Sequence, residues 1–385
     1  MSDPLPDEAY AAALAALPLM TIPRLLALLR HHAPVEAFAV AAGTTSPRNG
    51  ALVERVLRDA SIRSTWQRGA TGEPDRTWSR CCELSLDVTV IGSNRYPKLL
   101  ADDPLPPPVL FSRGRLDLVD GRRVGIVGTR NATSAGRAVA RDLGRGLAAA
   151  GVNVVSGLAL GIDGVAHHGA LEVLGLADLT QRADAGRPVA VVGTGLDVVY
   201  PRQNRDLWER VAEHGLLLTE GPPGTRPEPF RFPLRNRIVA ALSEILIVVE
   251  SRERGGSLIT ATLAAERGVP VMAVPGSAAN RAALGTNALI REGSAPVLGV
   301  DDVLLALDMD HSRSGPCFPE QRALPRGSDL AVYRACARQP MTVGDVAEAS
   351  GSELVAAAMS LARLEQAGWL VQADGWYEAN GSPLR

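Results

Sequence analysis

Residues 124–151 read VGIVGTRNATSAGRAVARDLGRGLAAAG, and this stretch decides the fold. VGIV is a short apolar run without polar alternation, the pattern of a strand buried on both faces. Glycine ends it, a polar loop follows, and from Ser134 the apolar positions recur at helical spacing. Short runs of the same kind return at GVNVVSG (151–157), RPVAVVG (187–193), GLLLTE (215–220), EILIVVE (244–250) and GVPVMAVPG (268–276). Buried strands alternating with helices predict a doubly wound, Rossmann-like parallel α/β sheet over residues 84–300. Such sheets bind ligands beyond the carboxyl ends of their strands, where loops lead into helix N-termini.

The flanks read differently. Residues 1–75 are rich in Ala and Leu at helical spacing, in AYAAALAALPLM, IPRLLALLRHH and VEAFAVAAG, which predicts a small helical domain. LSLDVTVIG and the proline-dense DDPLPPPVLF form a lead-in to the sheet. Residues 301–328 have linker character. Residues 329–385 give helix, turn, short helix, longer helix and two short aromatic-bearing strands, the order of a winged helix-turn-helix.

Composition bounds the function. The chain has 385 residues, 46% hydrophobic, with a formal net charge of -2, so a nucleic-acid surface must be a local patch and not a global property. The four cysteines (Cys81, Cys82, Cys317 and Cys336) lack metal-ligand or framework spacing. We expect no metal, no disulfide scaffold, and a reducing cytoplasmic setting. The acidic N-terminus MSDPLPDEAY lacks a basic region before an apolar run, and no stretch of 18 apolar residues occurs. Export and membrane insertion are therefore not expected.

The strand-end loops carry the chemistry. After the first strand come Gly128, Thr129 and Arg130, and a helix opens whose free N–H groups favour a phosphate. The glycine order is not that of a dinucleotide fingerprint, which argues against a nicotinamide cofactor. VVSGLALGIDGVAHHGAL (154–171) offers Ser156 and Gly157 to a phosphate oxygen, with Asp163 read as a helix cap and His167 as packing. VVGTGLDVVYPRQNRDLW (191–208) adds Gly193, Gly195, Asp197 and a turn at Tyr200 and Pro201. VVESRERGGSLITATLAAERG (248–268) opens another helix at Gly255, Gly256, Ser257 and Thr260.

FRFPLRNR (230–237) stands before the apolar IVAALSE, which places Arg235, Asn236 and Arg237 on the first turn of a helix. Cations there oppose the helix dipole by roughly 0.3–1 kcal/mol each, so the arrangement calls for an anion. The alternative is a turn held by salt bridges to Glu220 or Glu228. Six arginines against one aspartate in 122–145, and four against one glutamate in 226–237, make a basic patch despite the neutral total. Several such loops side by side suit a phosphate chain better than one nucleotide. Phe230 and Phe232 could stack bases, or anchor the loop.

VGIVGTRNATSAG, VVSGLALGIDGVAHHGAL, VAVVGTGLDVVYPRQN, LTEGPPGTRPEPFRFPLRNRIVAALS, GGSLITATLAAERGVPVMAVPG and LGTNALIREG together resemble the bacterial DNA-processing protein A family, DprA or Smf, over about half the chain. The resemblance implies a Rossmann-like core that binds single-stranded DNA without sequence preference, forms homodimers, and loads the RecA recombinase during natural transformation. It implies a sterile-alpha-motif-like N-terminal domain and a winged-helix C-terminal domain, no enzymatic activity and no cofactor. By motif it assigns DNA contacts to Arg130 and to Arg235, Asn236 and Arg237, with Ser156, Gly157, Gly256, Ser257 and Thr260 in neighbouring loops. Departures are the extra residues in LGLADLTQRADAGRPVAVVG, read as a surface insertion, and the lack of a glycine hairpin in PLMTIPRLL.

Two rivals come from other classes. A phosphoribohydrolase of the lysine-decarboxylase-like group has a PGGxGTxxE loop, but aligning GGS to it puts Arg254, Leu258, Ile259 and Thr262 at its Pro, Gly, Thr and Glu positions, so the catalytic acid is absent. A winged-helix transcription regulator would read duplex DNA, yet SELVAAAMSLARLEQAG offers only Arg363. With seven acidic residues and four arginines in 329–385, that domain is expected to contact protein.

Overall fold

The computed structural model describes residues 4–47, 53, 56–175, 185–308, 324–373 and 375–379. The core of the sheet is β3 (Arg123–Val127), a strand buried at every position. It pairs in parallel on one side with β4 (Asn153–Ser156), Val124 opposite Val154, and on the other with β7 (Ile245–Val248), Val124 opposite Ile245. From β4 the sheet continues through β5 (Pro188–Val191) and β6 (Leu216–Thr219), and from β7 through β8 (Val271–Ala273) and β9 (Ala295–Pro296), all parallel. Strand order therefore reverses between β3 and β7, the topological switch point of a doubly wound sheet. The lead-in is more than a tether: β1 (Asp87–Val90) and β2 (Val109–Gly114) extend the sheet antiparallel beyond β6.

Period-two alternation sends side chains to two faces. Val124, Ile126, Val154 and Ile247 pack under α7 (Ser134–Ala149) and α8 (Ile162–Glu172). Val127, Val155, Val191 and Val248 pack under α10 (Arg231–Leu242) and α11 (Gly256–Ala265). The intervening α9 (Arg205–His214) carries Trp208 and Val211 into a core shared with the N-terminal helices.

Those helices are α1 (Asp7–Ala16), α2 (Ile22–His31), α3 (Pro34–Ala42), α4 (Ala60–Gly69) and α5 (Glu73–Glu83), with the single turn α6 (Lys98–Ala101) after β1. α5 crosses the expected domain edge at residue 75. Leu14, Leu28 and Trp66 share one apolar cluster with Phe111, Trp208 and Leu217 of the sheet layer, so the two regions are welded by a common core. Trp66 completes the joint inside the helical region by donating from Nε1 to the Pro18 carbonyl at 3.0 Å.

The expected start of the linker at 301 also moves. After α12 (Leu284–Arg291), α13 (Val300–Ala306) buries Val303 and Leu304 against the sheet, and the Arg122 guanidinium donates to the Leu307 carbonyl at 2.6 Å. Residues 309–323 of the expected linker, and 176–184 of the expected insertion, lie outside the described residues. The C-terminal region runs α14 (Ser328–Cys336), β10 (Met341–Thr342), α15 (Val343–Ser350), α16 (Leu354–Gln366), β11 (Leu370–Ala373) and β12 (Trp376–Ala379). Its antiparallel sheet has the order β10-β12-β11, and Val332, Tyr333, Leu361 and Trp369 give it a core of its own. The helices and the two closing strands follow the order read from the sequence, with the short β10 where a turn was expected. Among the described residues no helix is long and apolar enough to cross a membrane.

Candidate nucleic-acid interface

The first loop does not hold a vacant phosphate site. Thr133 caps α7 by accepting from Gly136 N at 3.0 Å, and the anion at this helix N-terminus is the protein's own. Glu250, directly after the β7 run, accepts from Thr133 N at 2.9 Å and from the Thr133 hydroxyl at 2.6 Å. At Gly136 a Cβ would overlap the Glu250 carboxylate, so the glycine leaves the carboxylate room beside the helix start. The Glu250 carbonyl also accepts from Thr129 N at 2.8 Å. The expectation of a phosphate on this helix therefore fails for a physical reason: an internal carboxylate already uses the dipole and the free donors. Gly128 sits tightly against Ile162, and Thr129 is half-buried.

In the second loop Ser156 is fully buried and donates its hydroxyl to the Ile126 carbonyl at 2.5 Å, so it faces inward and away from a ligand. Gly161, not Asp163, is the N-cap of α8. Asp163 instead accepts from Gly157 N at 3.2 Å, holding the loop before its helix. Burial raises its pKa, and nearby Arg235 and the backbone donors of Gly157, Gly128 and Ala159 oppose that rise. His167 is buried completely, and neither ring nitrogen has a partner in hydrogen-bond geometry, although the Ser156 backbone lies near. Burial, with His168 and Arg235 adding to it, lowers its pKa to about 3, so it is a neutral packing residue at physiological pH.

The arginines of FRFPLRNR are placed differently from the expectation. The helix starts at Arg231, so Arg235, Asn236 and Arg237 lie in its second turn. Asn236 is half-buried, while Arg235 and Arg237 are 5% and 4% exposed. Arg237 forms an ion pair with Glu220, and Arg231 pairs with Glu228 at 2.8 Å. Arg235 donates to the Val191 carbonyl at the end of β5. Burial lowers its pKa to about 10, against the pull of Asp163, so it stays charged. The misplacement has a simple cause. Pro233, which reads as a helix-starting residue, sits in the first turn, and the helix begins two residues before it.

Arg130, Phe230 and Tyr200 do face solvent, and Phe232 is half-buried beside them. Arg130 is exposed, no carboxylate among the described residues pairs with it, and its guanidinium stands 5.4 Å from the centroid of the Phe232 ring. Phe232 in turn lies 5.3 Å from the Tyr200 ring with 31° between planes. Phe230 is 56% exposed beneath the Arg231 guanidinium, 5.2 Å away. Arg130, Gly157, Leu160, Gly193, Tyr200 and Phe232 line an open cleft, with Arg235 at its wall.

The last loop contributes less than expected. Ser257 is buried and donates to the Ser251 hydroxyl at 2.9 Å, and Thr260 is buried one turn into α11. Of the residues singled out here, Gly256 borders open space. The cleft thus joins Arg130, Gly157, Phe232 and Arg235 from the sequence-derived set, but not Ser156, Arg237, Gly256, Ser257 or Thr260. Sequence reasoning missed Glu250 and Leu160 and treated Tyr200 only as a turn. Glu250 had a signal: an acid at the carboxyl end of a wholly apolar parallel strand faces helix N-termini. Among the described residues no group of three His, Cys, Asp or Glu side chains is arranged to hold a metal.

Residues 87–308 match the family described as DNA recombination-mediator protein A. The DNA processing protein DprA of Bacillus subtilis is 40% identical over 222 residues, covering 57% of this chain and 71% of that one. The crystallised DNA processing protein A of Streptococcus pneumoniae superposes with a TM-score of 0.62 at 31% identity, over 78% of this chain and 98% of that one. The DNA processing protein A of Helicobacter pylori, whose structure concerns its single-stranded DNA binding mode, gives a TM-score of 0.50 at 28% identity, over 58% of this chain and 98% of that one. With more than half its length matched and its parallel core shared with solved relatives, the chain belongs to the DNA recombination-mediator protein A family, the DprA and Smf proteins.

Proposed function

We propose that this protein binds single-stranded DNA without sequence preference along the carboxyl edge of its sheet, as a binding protein and not a catalyst. The observation that carries the reading is Arg130: an exposed guanidinium without a carboxylate partner among the described residues, standing over Phe232 at the mouth of the cleft. A cation beside stacked aromatic rings suits a phosphate and its base together, and neither contact reads sequence. The half-buried Phe232 and the exposed Tyr200 supply the stacking surface, with Phe230 as a further exposed ring just before α10. Gly157 keeps the backbone low at the cleft floor. The single-stranded DNA binding of the Helicobacter pylori relative supports the same ligand. In the cell the bound strand would be DNA taken up in transformation or exposed in recombination, protected and handed to the RecA recombinase by a homodimer of this chain.

Fluorescence anisotropy with labelled oligo(dT) and with a duplex of equal length, each titrated with NaCl, tests the reading. We expect the single strand to bind tighter, with log K falling against log salt by about 0.7 per neutralised phosphate. Equal duplex affinity, or affinity indifferent to salt, would exclude it.

A further inference from the structure

The sequence assigned Arg235 to the DNA backbone; its surroundings describe another job. Its guanidinium packs on Gly157 so closely that a Cβ there would overlap it. On the same residue, the Gly157 N–H donates to Asp163 at 3.2 Å. Gly157 is thus clasped between a buried cation and a buried anion. The guanidinium also donates to Val191, the last residue of β5, so one side chain from α10 fastens the ends of β4 and β5 where they line the cleft. At 5% exposure it has little surface left for a phosphate.

We propose that Arg235, with Asp163, is a positioning residue that sets the cleft floor against which Arg130 and Phe232 grip DNA, and not itself a phosphate contact. This rests on the cleft being the single-stranded DNA site. The strut acts through geometry: if Gly157 and the β5 end shift, the floor no longer lies at the right depth beneath the Phe232 ring, and contacts made by other residues weaken. The pair is internal, and its charge never meets the counterion atmosphere of the DNA.

That difference is measurable. A residue that neutralises a phosphate adds about 0.7 to the salt slope of single-strand binding, whereas a strut adds nothing to it. Oligo(dT) binding across a NaCl series would be compared for the full-length wild type, Arg130→Ala, and the double variant Arg235→Gln with Asp163→Asn. The double change keeps hydrogen-bonding capacity and leaves no lone buried charge. We expect Arg130→Ala to lower the slope by about 0.7, and the double variant to bind about three- to tenfold more weakly, the worth of an ordinary hydrogen bond, at the wild-type slope. A slope lowered in the double variant would make Arg235 a direct contact. A lower melting temperature at unchanged affinity would make the pair structural only. Either result overturns the assignment. Should the double variant not fold, Arg235→Lys serves: a lysine keeps a point charge for a phosphate but cannot both clasp Gly157 and reach Val191, so weakened binding supports the strut and wild-type affinity refutes it. Absence of salt-dependent binding in the wild type would instead sink the reading of the cleft, and the strut with it.

Discussion

Two neighbouring sites on the carboxyl edge of the sheet are built from similar parts and come to opposite ends. At the switch point, between β3 and β7, the N-terminus of α7 faces a carboxylate that the chain supplies itself, Glu250 on Thr133. Two strands away, over the ends of β4 and β5, the glycine loops enclose an open cleft with an exposed arginine and two aromatic rings. Both have glycine, a hydroxyl residue and a helix start. What separates them is whether an internal anion has already taken the donors. A glycine-rich strand end is therefore an anion site only after its occupant has been identified.

The comparison breaks first if the open side does not bind. Replacing Arg130 and Phe232 together by alanine removes a charge-assisted contact, worth roughly 1.5–3 kcal/mol, and a stacking surface worth roughly 1–3 kcal/mol per base. The two groups touch, so their losses should not add fully. We expect affinity for oligo(dT) to fall by about 10²–10³, with little change in melting temperature, as measured by anisotropy and thermal unfolding. An affinity within a few-fold of wild type would move the DNA elsewhere.

The closed side is tested by opening it. Glu250→Ala leaves the part-buried Thr133 N and hydroxyl without their acceptor, a cost of about 1 kcal/mol. The freed helix N-terminus should then take inorganic phosphate. Millimolar phosphate should raise the melting temperature of the variant beyond what it does for wild type at matched ionic strength, restoring part of the loss. If phosphate affects both proteins alike, Glu250 is not the occupant that closes this site.

The parallel sheet was legible because unbroken apolar runs such as EILIVVE have few alternatives to a strand buried on both faces. The candidate site was legible at Arg130, whose loop position needs no orientation to be guessed, and as one of two alternatives at Phe232, which lies in the first turn of α10. It was not legible for Arg235 and Arg237. A helix start displaced by two residues turns a side chain to roughly the opposite face and so exchanges solvent for core, and Pro233 gave no means of telling the first turn from the second. The salt-bridge alternative named Glu220 and Glu228, and both pairs form, Glu220 with Arg237 and Glu228 with Arg231. Ser156, Ser257 and Thr260 show the same gap. Hydroxyls near a helix start suit a phosphate, but they suit a neighbouring carbonyl or hydroxyl equally, and only packing decides between the two.

Fully buried near Ser156 at the end of β4 sits His167, and acid should find it. Its pKa is lowered from 6.5 to about 3 by burial, so the unfolded chain takes up a proton below pH 6.5 while the folded chain does not. Its contribution is therefore complete above pH 6.5 and is lost as pH falls toward 3, at up to about 1.4 kcal/mol per pH unit. Denaturant melts between pH 7 and pH 5 should show this slope, and His167→Leu should flatten it. A slope unchanged by the substitution would mean that the histidine is protonated in the fold or reached by water.

The smallest effect expected is the most telling about the C-terminal region. Ending the chain at Asp308 should leave oligo(dT) affinity within about twofold, because that region offers the phosphate chain little to hold. Its longer helix, α16, presents Leu354, Val355 and Met359 to solvent. The cation on that helix, Arg363, is bound through two nitrogens to Asp329 at 2.6 and 3.1 Å. A helix reading a major groove would need free donors where this one has aliphatic side chains. The domain also keeps its own core around Tyr333 and Trp369, a cluster to which, among the described residues, no strand of the large sheet contributes. A truncated protein that melts like the full chain yet loses most of its single-strand affinity would show that the open cleft is only half of the DNA site. Retained affinity would leave the exposed face of α16 for a contact other than DNA.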